Sequence, residues 1–369
     1  MSLPMIPAAK PIVGDEERAA VDAVLRSGMI AQGPQVAAFE EEFAAELVDG
    51  RRCQAVSSGT SGLHLGLLAC GVGPGDEVIV PSFTFAATAN SVALTGATPV
   101  FADIELDTFC LDPKSVEAAV TERTVAIMPV HLYGHPADMP GLQAVADRHG
   151  LKIFEDAAQA HGASLGGRKV GSFGDFAMFS LYPTKNMTSG EGGMVACATE
   201  EIARQVRLLR NQGMERQYAN EVIGLNERMT DIHAAIGRVQ LTKLAGWTRQ
   251  RQENAAYLDA HLEGVTTPPV AADAVHVYHQ YTIRVAGGAA ERDRIVTALR
   301  EEHQVGSGVY YPIPNHRLSS LEHFAPGLEL PVTEQAAAEV ISLPVHPSLS
   351  EGDLERVVTA VNTVVKAGA

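Results

Sequence analysis

Seven lysines occur in the 369 residues, and one of them, Lys185, has surroundings suited to covalent chemistry. It sits within Ser180-Leu-Tyr-Pro-Thr-Lys-Asn-Met-Thr-Ser-Gly-Glu-Gly-Gly193, between two strand-like runs, Asp175 to Leu181 and Gly193 to Cys197. Pro183 and the glycines exclude regular structure between those runs. The lysine is therefore on a loop at a strand end, where α/β enzymes place their chemistry. The other six lysines fall near a terminus, on predicted helices, at a strand start or in a turn. A lysine that forms an imine with a cofactor aldehyde needs a half-buried place, because desolvation favours the neutral amine. The small and hydroxyl residues flanking Lys185 can close such a place around a ligand.

Other stretches carry compatible chemistry. Phe154-Glu-Asp-Ala-Ala-Gln-Ala-His-Gly162 ends a strand, and an acid there is costly unless it has a partner. Asp156 can pair with the protonated ring nitrogen of a pyridine cofactor, whose charge withdraws electrons from a developing carbanion. Gln159 can bond the phenolic oxygen of the same ring. Asp156 can equally cap the following helix, and Glu155 with Asp156 could form a carboxylate pair. No further acid or histidine cluster has metal-ligand spacing, so no metal is expected. Val56-Ser-Ser-Gly-Thr-Ser-Gly62 runs from a strand into a helix. Gly59, Thr60 and Ser61 then lie at a helix N-terminus, which suits a phosphate or simply a tight-turn cap. No Walker A sequence is present, and the spacing is not that of a dinucleotide fingerprint. In Pro81 to Asn90, Phe85 is placed at a helix start, able to stack on a planar ring or to fill the core. Asn226 and Arg228 precede a long helix that Thr230 or Asp231 can cap.

Short apolar runs alternate with amphipathic segments from Cys53 to Asp156, which implies right-handed βαβ units and a buried, mostly parallel sheet. Two helices, Asp15 to Ser27 and Val36 to Val48, precede it, and a helix is expected over Ser82 to Leu94. After Gly193 the pattern changes. Thr199 to Gln212 is helical, and Met229 to His261 holds one long helix or two. A strand at His276 to Val285, a helix at Ala289 to His303 and a strand at Val305 to Tyr310 follow. A last helix begins at Ser350, with Asp353 completing a capping box. The fold class is α/β, with a large domain over residues 1–245, including an N-terminal arm, and a smaller α+β domain over 246–369. Residues 1–3 read as an addition ahead of a native start at Met5.

The net charge of −16 argues against nucleic acid and anionic membrane surfaces as partners. The four cysteines have no CxxC spacing and read as reduced core residues of a cytoplasmic protein. No run approaches the length of a membrane span.

The ordered series Ala31-Gln-Gly-Pro34, Ser57-Ser-Gly-Thr60, Gly75-Asp-Glu-Val-Ile79, Glu155-Asp-Ala-Ala-Gln159, Ser180 to Gly193 and Asn226-Glu-Arg-Met229 resembles the DegT–StrS family of sugar aminotransferases. The resemblance covers nearly the whole chain. It implies the fold type I architecture and pyridoxal 5′-phosphate as cofactor. By it Lys185 carries the Schiff base and shuttles the proton, Asp156 pairs with the ring nitrogen, Gln159 meets the phenolic oxygen and Phe85 stacks on the ring. Gly59, Thr60, Ser61 and Ser180 match the phosphate cradle. Asn226 matches a residue lent by a second subunit, which implies a homodimer with shared sites. The implied reaction takes an amino group from L-glutamate to a keto sugar, nucleotide-linked through UDP or dTDP; a cyclitol or other free keto acceptor is the alternative, and a non-catalytic sensor is a different class of reading. Two positions depart from the family pattern: Glu227 replaces an aromatic, and Ile313-Pro-Asn-His316 follows Tyr311-Pro312.

Overall fold

The computed structural model describes residues 4–368; the reading of residues 1–3 as an addition lies outside the described residues. Seven strands, β1 (Arg52–Val56), β2 (Glu77–Pro81), β3 (Thr98–Ala102), β4 (Thr124–Ile127), β5 (Lys152–Asp156), β6 (Phe176–Ser180) and β7 (Gly193–Cys197), form one sheet. Their order is β1-β7-β6-β5-β4-β2-β3. Strand β7 is antiparallel to both β1 and β6, while β6, β5, β4, β2 and β3 pair in parallel. This is the mostly parallel α/β sheet read from the sequence. Strands β2, β6 and β7 are buried at every residue, as strands covered on both faces must be.

The helices are α1 (Asp15–Ser27), α2 (Pro34–Leu47), α3 (Gly59–Ala69), α4 (Ala87–Leu94), α5 (Pro113–Ala119), α6 (Met139–His149), α7 (Glu200–Leu209), α8 (Asp231–His261), α9 (Gly288–Glu301), α10 (Pro331–Glu339) and α11 (Glu351–Gly368). One core cluster gathers Phe39 and Phe43 of α2 with Phe179 of β6, and another gathers Leu63 and Leu67 of α3 with Phe154 and Phe176 on the opposite face. The segment from Met229 is a single helix, α8. Thr230 caps it, its Oγ1 accepting from the His233 N–H. Asp231 does something else: its carboxylate accepts from the N–H groups of Gly33, Gln35 and Val36 at 2.8, 3.2 and 3.0 Å, and so caps α2. Gly33 is required there, because a Cβ would lie 2.7 Å from the Asp231 carboxylate.

Three local expectations need correction. The helix expected from Ser82 starts only at Ala87, because Ser82 is drawn into tertiary bonds: its N–H donates to Ala102 O, and its carbonyl accepts from the Asn315 N–H. The strand expected over His276 to Val285 shortens to β8 (Tyr281–Arg284), since the Val277 and Gln280 N–H groups are taken by the carbonyls of Gly134 and Tyr133. Val305 to Tyr310 is not a strand and makes only isolated bridges, Ile6 with Val305 and Gly308 with Ser342. The antiparallel partner of β8 is β9 (Val340–Leu343), which follows α10 directly. Helix α11 opens with the expected capping box: Ser350 Oγ accepts from the Asp353 N–H, and Asp353 Oδ2 from the Ser350 N–H.

Candidate active site

The C-terminal ends of β5 and β6 and the loops after β1, β2 and β4 surround a cavity of about 650 Å³. Gly59, Thr60, Phe85, Asp156, Gln159, Ser180 and Lys185 all border it. Parallel strands bring these residues together because each strand ends at the same edge of the sheet.

The loop after β6 fixes Lys185. A turn closes from its N–H to Tyr182 O at 2.9 Å, and the Thr188 hydroxyl donates to Leu181 O at 2.8 Å. Burial pulls the Lys185 amine down to about 8, with the Asp156 carboxylate pulling the other way. Burial pushes the Asp156 carboxyl up; the Thr88 hydroxyl at 2.8 Å, the Ala158 N–H at 3.1 Å and the Lys185 charge offset this only in part. Burial and then the Lys185 charge keep two neighbouring imidazoles neutral, His161 at about 3 and His279 well below its ordinary range. Lys185 and Asp156 thus form an acid–base set at the floor of one cavity.

Glu155 does not join Asp156 in a carboxylate pair. Successive strand residues face opposite sides of the sheet, and Glu155 is enclosed among the N–H groups of Gly171, Phe173 and Gly174, each at 2.7 Å. Gln159 has its orientation fixed: Oε1 accepts from the Tyr133 N–H at 2.7 Å, so the amide NH₂ is turned toward the Tyr311 hydroxyl at 3.2 Å and the cavity. Phe85 sits on the irregular turn before α4 rather than on the helix, 59% exposed, its ring 6.0 Å from that of Tyr311.

At the start of α3, Ser58 is the cap, accepting from the Ser61 N–H at 3.1 Å. A Cβ on Gly59 would approach Ser180 Cβ to 3.0 Å and Met178 Sδ to 3.1 Å, so glycine lets this backbone close on Ser180 without displacing either side chain. The N–H groups of a helix start, with the Thr60 and Ser180 hydroxyls, are the donor set a phosphate needs.

Two predicted residues lie apart. Ser61 does not border the cavity; its hydroxyl donates to Glu227 at 2.7 Å, and Glu227 also accepts from Ser57. Asn226 is exposed and does not border the cavity of its own chain. His316 is buried away from it, between Ser82 Oγ at 2.6 Å and Glu334 at 3.1 Å. The sequence reading missed Tyr311, Gln280 and Glu191 on the cavity wall; Glu191 lay within a motif already singled out. Among the described residues no group of three or more His, Cys, Asp or Glu is placed to hold a metal, and no helix is long and apolar enough to cross a membrane.

The model of the DegT/DnrJ/EryC1/StrS aminotransferase family matches residues 11–362. The chain belongs to that family. It is therefore an aminotransferase. It is 42% identical over 352 residues to the UDP-N-acetyl-3-dehydro-alpha-D-glucosamine 3-aminotransferase of Acidithiobacillus ferrooxidans, covering 94% of this chain and 93% of that one. It is 43% identical over 351 residues to the dTDP-3-amino-3,4,6-trideoxy-alpha-D-glucose transaminase of Streptomyces venezuelae, covering 94% and 91%. Among solved structures, NtdA from Bacillus subtilis with bound pyridoxamine phosphate superposes with a TM-score of 0.91 at 32% identity, covering 99% of this chain and 86% of that one. The cofactor of this aminotransferase family is pyridoxal 5′-phosphate. The cavity fits it: its wall carries a lysine, a buried acid with few donors of its own, an amide with its NH₂ turned inward, and a helix start that opens with glycine.

Proposed function

We propose that this aminotransferase takes the amino group of L-glutamate and delivers it to a nucleotide-linked keto-hexose, through UDP or dTDP, in amino-sugar biosynthesis in the cytoplasm. The observation that carries the reading is the single cavity holding Lys185, Asp156 and the α3 N-terminus. When bound, pyridoxal phosphate supplies an aldehyde for the amino group and a ring that accepts electrons. Lys185 is the nucleophile and the proton carrier, and its lowered pKa leaves a useful fraction of free amine near neutral pH. Asp156 holds the ring-nitrogen proton. Gln159 faces the phenolic oxygen with a fixed NH₂, and Phe85 stands at the ring face. Gly59, Thr60 and Ser180 hold the phosphate.

The test is spectroscopic. Purified protein should show the absorbance of the lysine-bound cofactor, L-glutamate should bleach it, and a nucleotide-linked keto sugar should restore it. Absence of bleaching by glutamate would overturn the donor assignment. Thermal protection by UDP or dTDP would identify the nucleotide, and no protection by any nucleotide would move the acceptor to a cyclitol or another free ketone.

The reading includes a homodimer with shared sites. Asn226 ends a segment whose apolar side chains are uncovered in one chain, with Tyr218 87% and Ile223 95% exposed. Such a segment fits against a second copy, where Asn226 would reach that copy's phosphate. Mixing Lys185→Ala with Asn226→Asp separates the arrangements. With shared sites, both lesions of a mixed dimer fall in one site, and random re-association recovers about a quarter of parental activity. Mixtures that exchange subunits and stay inactive would place Asn226 in its own chain's structure. We also keep the division into residues 1–245 and 246–369. The cluster of Leu258, Tyr281, Ile295, Val357 and Val361 supports a separate core for the second part.

A further inference from the structure

A second recess, about 20 Å³, adjoins Lys185 under the N-terminal arm, bordered by Lys10, Ile12, Asn186, Gln240 and Arg251. Two unmatched polar atoms belong to the residues that line it. The Asn186 Nδ2 donates to Val277 O at 2.9 Å, which fixes the amide and leaves Oδ1 free; that oxygen is fully buried and has no partner. Arg251 is 7% exposed, and one guanidinium nitrogen donates to Tyr278 O at 3.0 Å. Its Nε is buried with no partner, and burial alone, with no carboxylate to offset it, pulls the Arg251 guanidinium down to about 10. A buried donor or acceptor left without a partner costs about 1–3 kcal/mol. The residues that carry this unmatched donor and acceptor both border a recess large enough for one water, which needs about 10–15 Å³, and that pairing is what a polar hydration site requires.

We infer that this recess is a built water site: one ordered water accepts from Arg251 Nε–H, donates to Asn186 Oδ1, and meets the Lys185 amine. The water suits both protonation states of Lys185. It donates its second hydrogen to the neutral amine and accepts from the ammonium through its second lone pair. Asn186 and Arg251 are then positioning residues for a proton-exchange partner of the lysine. A lysine touched only by substrate keeps the hydrogen it has taken among the three of its ammonium and returns one of the three; one bonded to this water also trades them for solvent protons, with no net change of charge. Of the other charged or titratable groups around Lys185, Asp156, His161 and His279 are not among the residues bordering the recess, while Lys10 of the arm borders it together with Arg251.

The inference rests on Lys185 being the proton carrier, and the experiment separates the two. Holoenzyme is given L-glutamate deuterated at Cα in ordinary water for a single turnover, and deuterium is measured in the pyridoxamine phosphate released. The parent should retain little label. Asn186→Leu, which fills the recess, and Arg251→Met, which removes its donor, should each raise retention severalfold. Equal retention in parent and both variants would overturn the water site, whereas failure of glutamate to lose its Cα deuterium at all would overturn the role of Lys185 instead. A high-resolution crystal structure of the parent gives an independent readout if either variant folds poorly: ordered density bonded to Asn186 Oδ1 and Arg251 Nε is expected, and its absence refutes the site.

Discussion

Glu155 and Asp156 are consecutive, both buried, and at the end of the same strand, yet their surroundings are opposite. Every lone-pair direction of Glu155 is used by the protein. Three backbone N–H groups of the loop 171–174 reach it at 2.7 Å, and His131 Nε2 at 3.1 Å. Burial raises its pKa, but the His131 bond and the backbone donors outweigh that and hold it below the usual carboxylate range. Asp156 has only the Thr88 hydroxyl and one backbone N–H, and its pKa is pushed up. A saturated carboxylate builds structure, here by folding a loop around itself. An unsaturated one at the floor of a cavity leaves capacity for a ligand. The pair shows that burial of an acid does not by itself signal function; the count of its donors does.

The largest effect that tests this contrast is at Asp156. Asp156→Asn keeps the shape and removes the charge that would hold a ring proton, so turnover should fall about a thousandfold, roughly 4 kcal/mol at 1.36 kcal/mol per tenfold. Stability should move the other way. A raised folded pKa contributes stability below the unfolded value of 3.8 and loses it as pH rises through the folded value. At neutral pH the ionised Asp156 therefore costs the cofactor-free protein stability, and the variant should need as much urea to unfold as the parent, or more. Near-parental turnover would show that Asp156 only caps the turn that follows it.

Much of this cavity was legible because it is local. Lys185, Asp156, Gln159, Gly59 and Phe85 each stand in a short motif at a strand end, and a parallel sheet carries all strand ends to one edge. The groups that escaped are set by contacts distant in sequence. Ser61 looks like a phosphate ligand until Glu227, 166 residues away, takes its hydroxyl. Asp231 looks like the cap of its own helix but serves Gly33 and Val36, nearly two hundred residues earlier. Strand β9 went unseen because Val340–Leu343 follows α10 without a turn, and because Val305 to Tyr310 offered a more β-like run nearer to β8. Glu155 was visible only as a possible partner of Asp156, since nothing in the local sequence announces that the loop 171–174 will wrap around it.

Glu155→Gln gives the complementary test, smaller in turnover and larger in stability. The amide oxygen can still accept from the two donors of one carboxylate oxygen, but the NH₂ then faces the other two, either the Gly171 N–H and His131 Nε2 or the Phe173 and Gly174 N–H groups. His131 cannot adapt by changing tautomer. Its Nδ1 accepts from the Ala137 N–H at 3.0 Å, so Nε2 carries the proton and points at residue 155. Two donors facing donors in a dry site should cost on the order of 3 kcal/mol, read as a lowered urea midpoint at neutral pH. The pH dependence carries the distinguishing sign. A folded pKa held below the ordinary 4.5 gives stability that is fully present above that value and is lost as pH falls through the folded one. The gap between parent and variant should therefore be constant near neutrality and close on acidification below about 4.5, because the parent alone loses this contribution. In Asp156→Asn the acid limb should differ in the opposite sense, the parent gaining relative to the variant as pH falls. A Glu155→Gln protein as stable as the parent at neutral pH would mean that the loop 171–174 does not depend on the carboxylate, and the contrast between the two acids would fail.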